Sequence, residues 1–158
     1  MNAENTKALI DGFPELFPPQ AMDDRTGLMG YGFAHGDGWF AIVRDLLGDL
    51  ATIRRTLPEG ERDAFWVFQA KEKFGLLRVY LDRYPKDPEA REAAMAAIRV
   101  AEELSSVTCE VCGKPGTLRR GGWLRTLCDE HDRDRPSAWD DVGDWEDEDE
   151  EGKGQPGL

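Results

Sequence analysis

Cysteine and histidine are scarce in this chain, three and two among 158 residues, and four of those five lie between positions 109 and 131. With no cysteine outside that stretch, a disulfide framework is excluded and a reducing compartment, the cytoplasm, is expected. No run of 18 apolar residues occurs, so no membrane-spanning helix is expected. The opening Met-Asn-Ala-Glu-Asn-Thr-Lys lacks the basic-then-apolar order of a secretory signal. A basic excess is missing too. The net charge is −12, but residues 129–158 hold thirteen acidic and three basic side chains, against nineteen and seventeen in residues 1–128. The acidity therefore belongs to the tail, and the remainder is close to neutral. No nucleophile elbow, phosphate loop or paired-carboxylate signature is present.

What is present is a ligand pattern. Cys109-Glu110-Val111-Cys112 and Cys128-Asp129-Glu130-His131 stand fifteen residues apart, with two residues inside each pair. Cys-x₂-Cys offers two thiolates from one tight turn, and Cys-x₂-His can do the same from the first turn of a helix. Together they make a tetrahedral Cys₃His shell for zinc, with no position left for water, which favours a structural ion over a catalytic one. The alternative is three ordinary cysteines and an exposed histidine. It is weakened by Gly113 and Gly116, which relax the backbone beside the first pair. The His-x-Glu and Pro-Cys-x-x-Cys signature of zinc-dependent nucleobase deaminases is absent.

The rest of the chain divides into four expected segments. Residues 1–38 form an irregular N-terminal segment with a short apolar cluster (Leu9, Ile10, Phe13, Leu16, Phe17) good for one or two helical turns. Residues 39–106 are an α+β core, 107–136 the zinc module, and 137–158 an acidic, disordered tail. From Trp39, apolar residues at 39, 42, 43, 46, 47, 50, 53 and 57 keep the helical period, with Asp37 or Gly38 as cap and Pro58 as stop. Residues 64–70 and 76–81 read as strands of a β-hairpin, linked by a solvated turn at Lys71–Gly75. Asp87-Pro88-Glu89 opens an Ala-rich helix whose buried face carries Ala90, Ala94, Ala97, Ile98, Ala101 and Leu104. Core positions are Trp39, Phe65, Val67, Val79 and Ile98. In the zinc module, Thr117–Leu127 reads as a second hairpin turning at Gly121-Gly122, and with the ligand turn and the short helix it looks like a treble clef.

Arg119, Arg120 and Arg125 interleave with Trp123 on that second hairpin, which could grip phosphates and stack a base. The competing reading is a solvated hairpin surface with Trp123 packed under the metal, and a neutral domain favours it. Contact with the acidic tail is another use for these arginines. His35, Asp37 and Asp45 could be drawn together as acid–base groups, but Asp37 reads more simply as a cap and Asp45 faces solvent.

Three blocks together carry a resemblance: Gly36-Asp37-Gly38-Trp39-Phe40, Gln69 through Tyr80, and Cys109-Glu110-x-Cys112-Gly113 with Gly122-Trp123 and Leu127 to His131. Over roughly residues 8–132 the chain resembles a family of small, functionally uncharacterised zinc-binding proteins of bacteriophages, prophages and bacteria. Relatives of this type carry Glu-Cys where this chain has Ala34-His35, so no role for that cysteine carries over. The resemblance implies a shared fold with zinc and supplies no activity. The expected function is a non-enzymatic accessory or inhibitory factor of phage or mobile-element type that contacts a protein partner. Nucleic-acid binding through Arg119, Arg120, Trp123 and Arg125 is the alternative, and no membrane is involved.

Overall fold

The computed structural model describes residues 1–23 and 25–134. The expected disordered tail, and the last two residues of the expected zinc module, lie outside them. Among the described residues the fold is α+β, with two small antiparallel sheets and α-helices in the order α1 (Ala3–Gly12), α2 (Pro19–Met22), α3 (Phe40–Thr56), α4 (Glu59–Arg62), α5 (Pro88–Ser106) and α6 (Asp129–Arg133). No described helix is long and apolar enough to cross a membrane.

The N-terminal segment is more ordered than its sequence suggests. α1 runs ten residues, where one or two turns were expected, because Asn2 caps it by accepting from the Asn5 amide. Asp37, the expected cap of α3, serves α1 instead. Its carboxylate accepts from the Asn2 amide and from Asn5 Nδ2, both at 2.9 Å. These bonds, the Asn2 amide first, hold the Asp37 carboxyl below its ordinary pKa. α3 is entered through a 3₁₀ turn over Asp37–Trp39, with no side-chain cap.

α3 and α5 pack on each other, and α5 covers β2. Asp87 caps α5 through the Ala90 amide, as its sequence implies. Val43, Leu46, Leu47 and Leu50 of α3 meet Ala94 and Ala101 of α5 and the inner face of the hairpin in one apolar cluster. Trp39, Phe65, Val67 and Val79 are buried there, and Ile98 packs at its margin. Leu104, expected on the buried face, is exposed, and its neighbour Ser105 is buried instead. Ser105 has a reason to be inside: its hydroxyl accepts from the Leu77 amide at the open edge of β2, satisfying a buried donor.

The first hairpin pairs β1 (Val67–Lys73) with β2 (Leu76–Leu81), with a bulge between Val67 and Gln69. Lys71, Glu72 and Lys73 belong to β1 and not to a five-residue link. The turn is two residues, Phe74-Gly75, both at positive φ (57° and 79°). Two-residue turns of that hand match the twist of paired strands, which lets the ladder continue to its tip. On its other edge β1 is covered by the chain near Ala34, which accepts from the Glu72 amide and donates to Ala70 O. The second hairpin, β3 (Thr117–Arg119) with β4 (Arg125–Leu127), turns through Gly121 and Gly122 at positive φ, as expected.

Candidate metal centre

Cys109 and Cys112 sit on a turn closed by the Gly113 amide donating to Cys109 O at 2.9 Å. Cys128 is the residue before α6, and His131 lies in that helix's first turn. The four ligand atoms lie within 4.8 Å of one another. Cys112 Sγ and Cys128 Sγ are 3.8 Å apart, His131 Nδ1 is 3.6 Å from Cys109 Sγ, and it is 3.2 Å from Cys128 Sγ. A tetrahedron with metal–sulfur bonds of about 2.3 Å and a metal–nitrogen bond of about 2.0 Å has edges of about 3.8 Å (S to S) and about 3.5 Å (S to N). The residues fit such an ion, and Cys112 and Cys128 stand as free thiols. All four corners are protein atoms, so an ion held by them has no open position for water or substrate.

The thiols are not equivalent. Burial raises Cys109, but amide bonds from Cys128, Cys112 and Val111 outweigh it, and its pKa falls below the ordinary thiol value. Cys128 is lowered chiefly by the His131 amide, whereas Cys112 is raised by burial. Thiolate is the ligating form, so amides at the turn and at the start of α6 prepare two of the three sulfurs for an ion.

The Cys/His cluster is clamped from two sides, and neither clamp was anticipated from sequence. From one side comes the Gly36–Trp39 segment. The Gly38 amide donates to Glu110 O at 2.8 Å, and Trp39 Nε1 donates to Thr108 O at 2.8 Å. A Cβ at Gly38 would overlap Cys109 O and lie 2.5 Å from Gly113 N, so backbone meets backbone there and only glycine fits. Glu110, between the two cysteines, is 5% exposed. Its carboxylate accepts from the Gly36 amide at 3.0 Å and from Arg125 Nε at 2.9 Å, joining clamp, ligand turn and β4.

From the other side comes the tip of the first hairpin. Thr126 Oγ1 donates to Gly75 O at 2.6 Å, and a Cβ on Gly75 would overlap Leu118. Glu72 accepts from the Gly75 amide and, at 3.0 Å, from Trp123 Nε1. The signal that could have found Glu110 and Glu72 is modest: each is a carboxylate set inside a short block dense in Gly, Cys or aromatic residues.

The arginines that the nucleic-acid alternative would use to grip phosphate are engaged elsewhere. Arg119 pairs with Asp129 at 2.5 Å and with Asp132 at 3.5 Å, and its Nε donates to Leu127 O. Arg125 holds Glu110, and Arg120 is engaged as well. Trp123 does not pack under the metal; it is 73% exposed. Phe74, 63% exposed, lies with it along a hollow of about 370 Å³ lined also by Glu72, Lys73, Gly122 and Leu124. His35, Asp37 and Asp45 do not assemble as acid–base groups. His35 is buried against Phe33 and Trp39, Asp37 ties down α1, and Asp45 pairs with its neighbour Arg44 on the surface. No family model matches the chain, and no curated protein or solved structure matches it.

Proposed function

We propose that the chain is a zinc-stabilised, non-catalytic binding protein, an accessory or inhibitory factor of phage or mobile-element type, which acts by contact with another protein. The order of ligand turn, short hairpin and ligand-bearing helix reads as a treble clef, and a closed four-ligand set suits a structural zinc.

The observation that carries this reading is the pair of rings at the two hairpin tips. Phe74 holds a left-handed backbone at φ 57°. That conformation costs a residue with a Cβ roughly 1 kcal/mol or more, and the exposed ring recovers little of it within the chain. A strained backbone presenting an aromatic to solvent beside an exposed tryptophan makes sense where a partner covers both. Nucleic-acid binding is the second reading. The pairing of Arg119 and Arg125 with carboxylates weighs against it, since cations already neutralised release few counterions from a phosphate backbone.

Affinity capture from the native host tests the ranking, with wild-type protein beside a Phe74→Ser/Trp123→Ser variant. The expected result is a protein recovered by the wild type and lost by the variant, with metal content unchanged. Recovery by both would overturn the surface assignment. Micromolar or tighter binding of DNA or RNA at about 150 mM salt would put the second reading first.

A further inference from the structure

α5 carries more apolar surface than the core uses. Its inner face, with Ala94, Ala101 and Ser105 fully buried, is taken up by α3 and the first hairpin. Beside that face runs a second apolar line: Ala90, Ala93, Ala97, Val100, Leu104 and Val107, the last being the residue that caps the helix. Its steps are alternately three and four residues, the spacing of a coiled-coil seam. Ala90 and Ala97 join the line to the margin of the core, whereas Ala93 is exposed and Val100, Leu104 and Val107 are each about half exposed. The helix holds six charged side chains (Glu89, Arg91, Glu92, Arg99, Glu102 and Glu103), and none falls on this line. A helix with one seam on its own core and a second in solvent is built to meet another helix.

The order of sizes along the seam says which helix. Its first three positions are alanines and its last three are valine, leucine and valine. Two copies of α5 laid side by side in opposite directions, about a point between Ile98 and Arg99, set Ala90 against Val107, Ala93 against Leu104, and Ala97 against Val100. Exchange of the copies repeats the same three layers. Every layer then joins one small and one large side chain, so the helices keep one separation along their length, as close packing of two helices requires. A parallel pair would set alanine on alanine at one end and leucine on leucine at the other, and the helices would splay. The match is internal to one sequence, which singles out a second copy of this chain over an unrelated helix.

We propose that α5 is a homodimer seam: two copies of the chain associate through antiparallel α5 helices, the alanines of each receiving Val100, Leu104 and Val107 of the other. Both copies use the same patch, as a two-fold interface demands. The seam goes beyond the contact surface proposed above and does not rest on it.

Light-scattering mass of the full-length protein, followed as a function of concentration, tests it. A two-helix seam is small beside the roughly 800 Å² per partner of a standard interface, so the expected dissociation constant is on the order of 50 µM, the mass rising from 17.8 kDa toward twice that value. Leu104→Glu should weaken association by about tenfold or more, because it places a charge in each of two layers. Adding Ala93→Lys to the same chain should restore most of the loss, since the new ammonium meets the new carboxylate of the other copy. The two sites are eleven residues, about 17 Å, apart along one helix, too far to pair within it. Adding Met95→Lys instead, on the far side of α5, should restore nothing. If Leu104→Glu fails to fold, Val100→Glu breaks the same seam. A mass that stays at 17.8 kDa through that range, or a dimer indifferent to both glutamate variants, would overturn the seam. Failure of Ala93→Lys to rescue, or equal rescue by Met95→Lys, would overturn the antiparallel pairing that defines it.

Discussion

The helical part of this protein and its cysteine–histidine part are held together by different means. Around α3, α5 and the first hairpin, some twenty buried side chains form one apolar cluster, and burial at about 25 cal/mol per Å² of apolar surface is enough to order them. Around the Cys/His cluster the buried apolar cluster is Cys109, Leu127 and Cys128. Two of those three are candidate ligands. So small a cluster cannot offset the chain entropy of ordering the turn, hairpin and helix, and on the zinc-bound reading proposed above ligation, with the two clamps, supplies what burial does not. On that reading the first region survives the loss of an ion and the second does not.

The comparison is broken most severely by Leu47→Ala. Leu47 is 1% exposed in the middle of α3, and truncation should lower global stability by about 2–5 kcal/mol in denaturant titration. Metal affinity should not change. A matching loss of metal affinity would show that the two regions fold as one.

Acid should act on the first region through His35. Burial, the leading cause, lowers its pKa to about 4, and its Nε2 has no hydrogen-bond partner among the described residues. The folded state thus keeps a neutral ring while the unfolded chain takes up a proton below about pH 6.5. Stability from this group is complete above pH 6.5 and is lost as pH falls toward 4, by up to about 3 kcal/mol. Comparing stability between pH 7 and 4 for wild type and His35→Gln isolates the effect, since thiolate and Asp37 protonation are common to both. Parallel curves would exclude it.

Gly38→Ala attacks the second region. Its new methyl would meet backbone atoms of Cys109 and Gly113 that cannot swing away, costing about 1–3 kcal/mol. Unlike Leu47→Ala, it should raise the rate at which a chelator strips the metal. An unchanged stripping rate would mean the clamp does not support the ligand turn.

Phe74→Asn gives the smallest effect and the opposite sign. Asparagine tolerates the left-handed backbone, so thermal unfolding should move up by the equivalent of up to about 1 kcal/mol. Partner capture should fall. Loss of stability would show the ring to be structural.

How far the sequence could be read follows the same division. The helix from Phe40, the cap at Asp87 and the grouping of Cys109, Cys112, Cys128 and His131 were legible because each is a local pattern: a period, a dipeptide, a pair with two residues between. The turn at Phe74-Gly75 was not, because Lys-Glu-Lys reads as solvated turn while Phe is an uncommon choice at positive φ. Asp37 looked like a cap for the helix it precedes, and only the fold brings Asn2 and Asn5 to it. Ser105 looked polar and Leu104 apolar, but the unpaired Leu77 amide decided which was buried. The clamps were the largest omission. Gly38 meets a ligand turn seventy residues further along the chain, and no local pattern announces such a contact.

The central claim is that one ion on Cys109, Cys112, Cys128 and His131 orders the second region and not the first. It is tested by metal analysis of purified protein combined with amide exchange before and after chelation. The account predicts one zinc per chain, lost in Cys112→Ser. On chelation, protection should vanish in β3, β4 and α6 and persist at Val43–Leu50 of α3. Metal-free protein with the same thermal transition, and the same protection across residues 109–131, would contradict it.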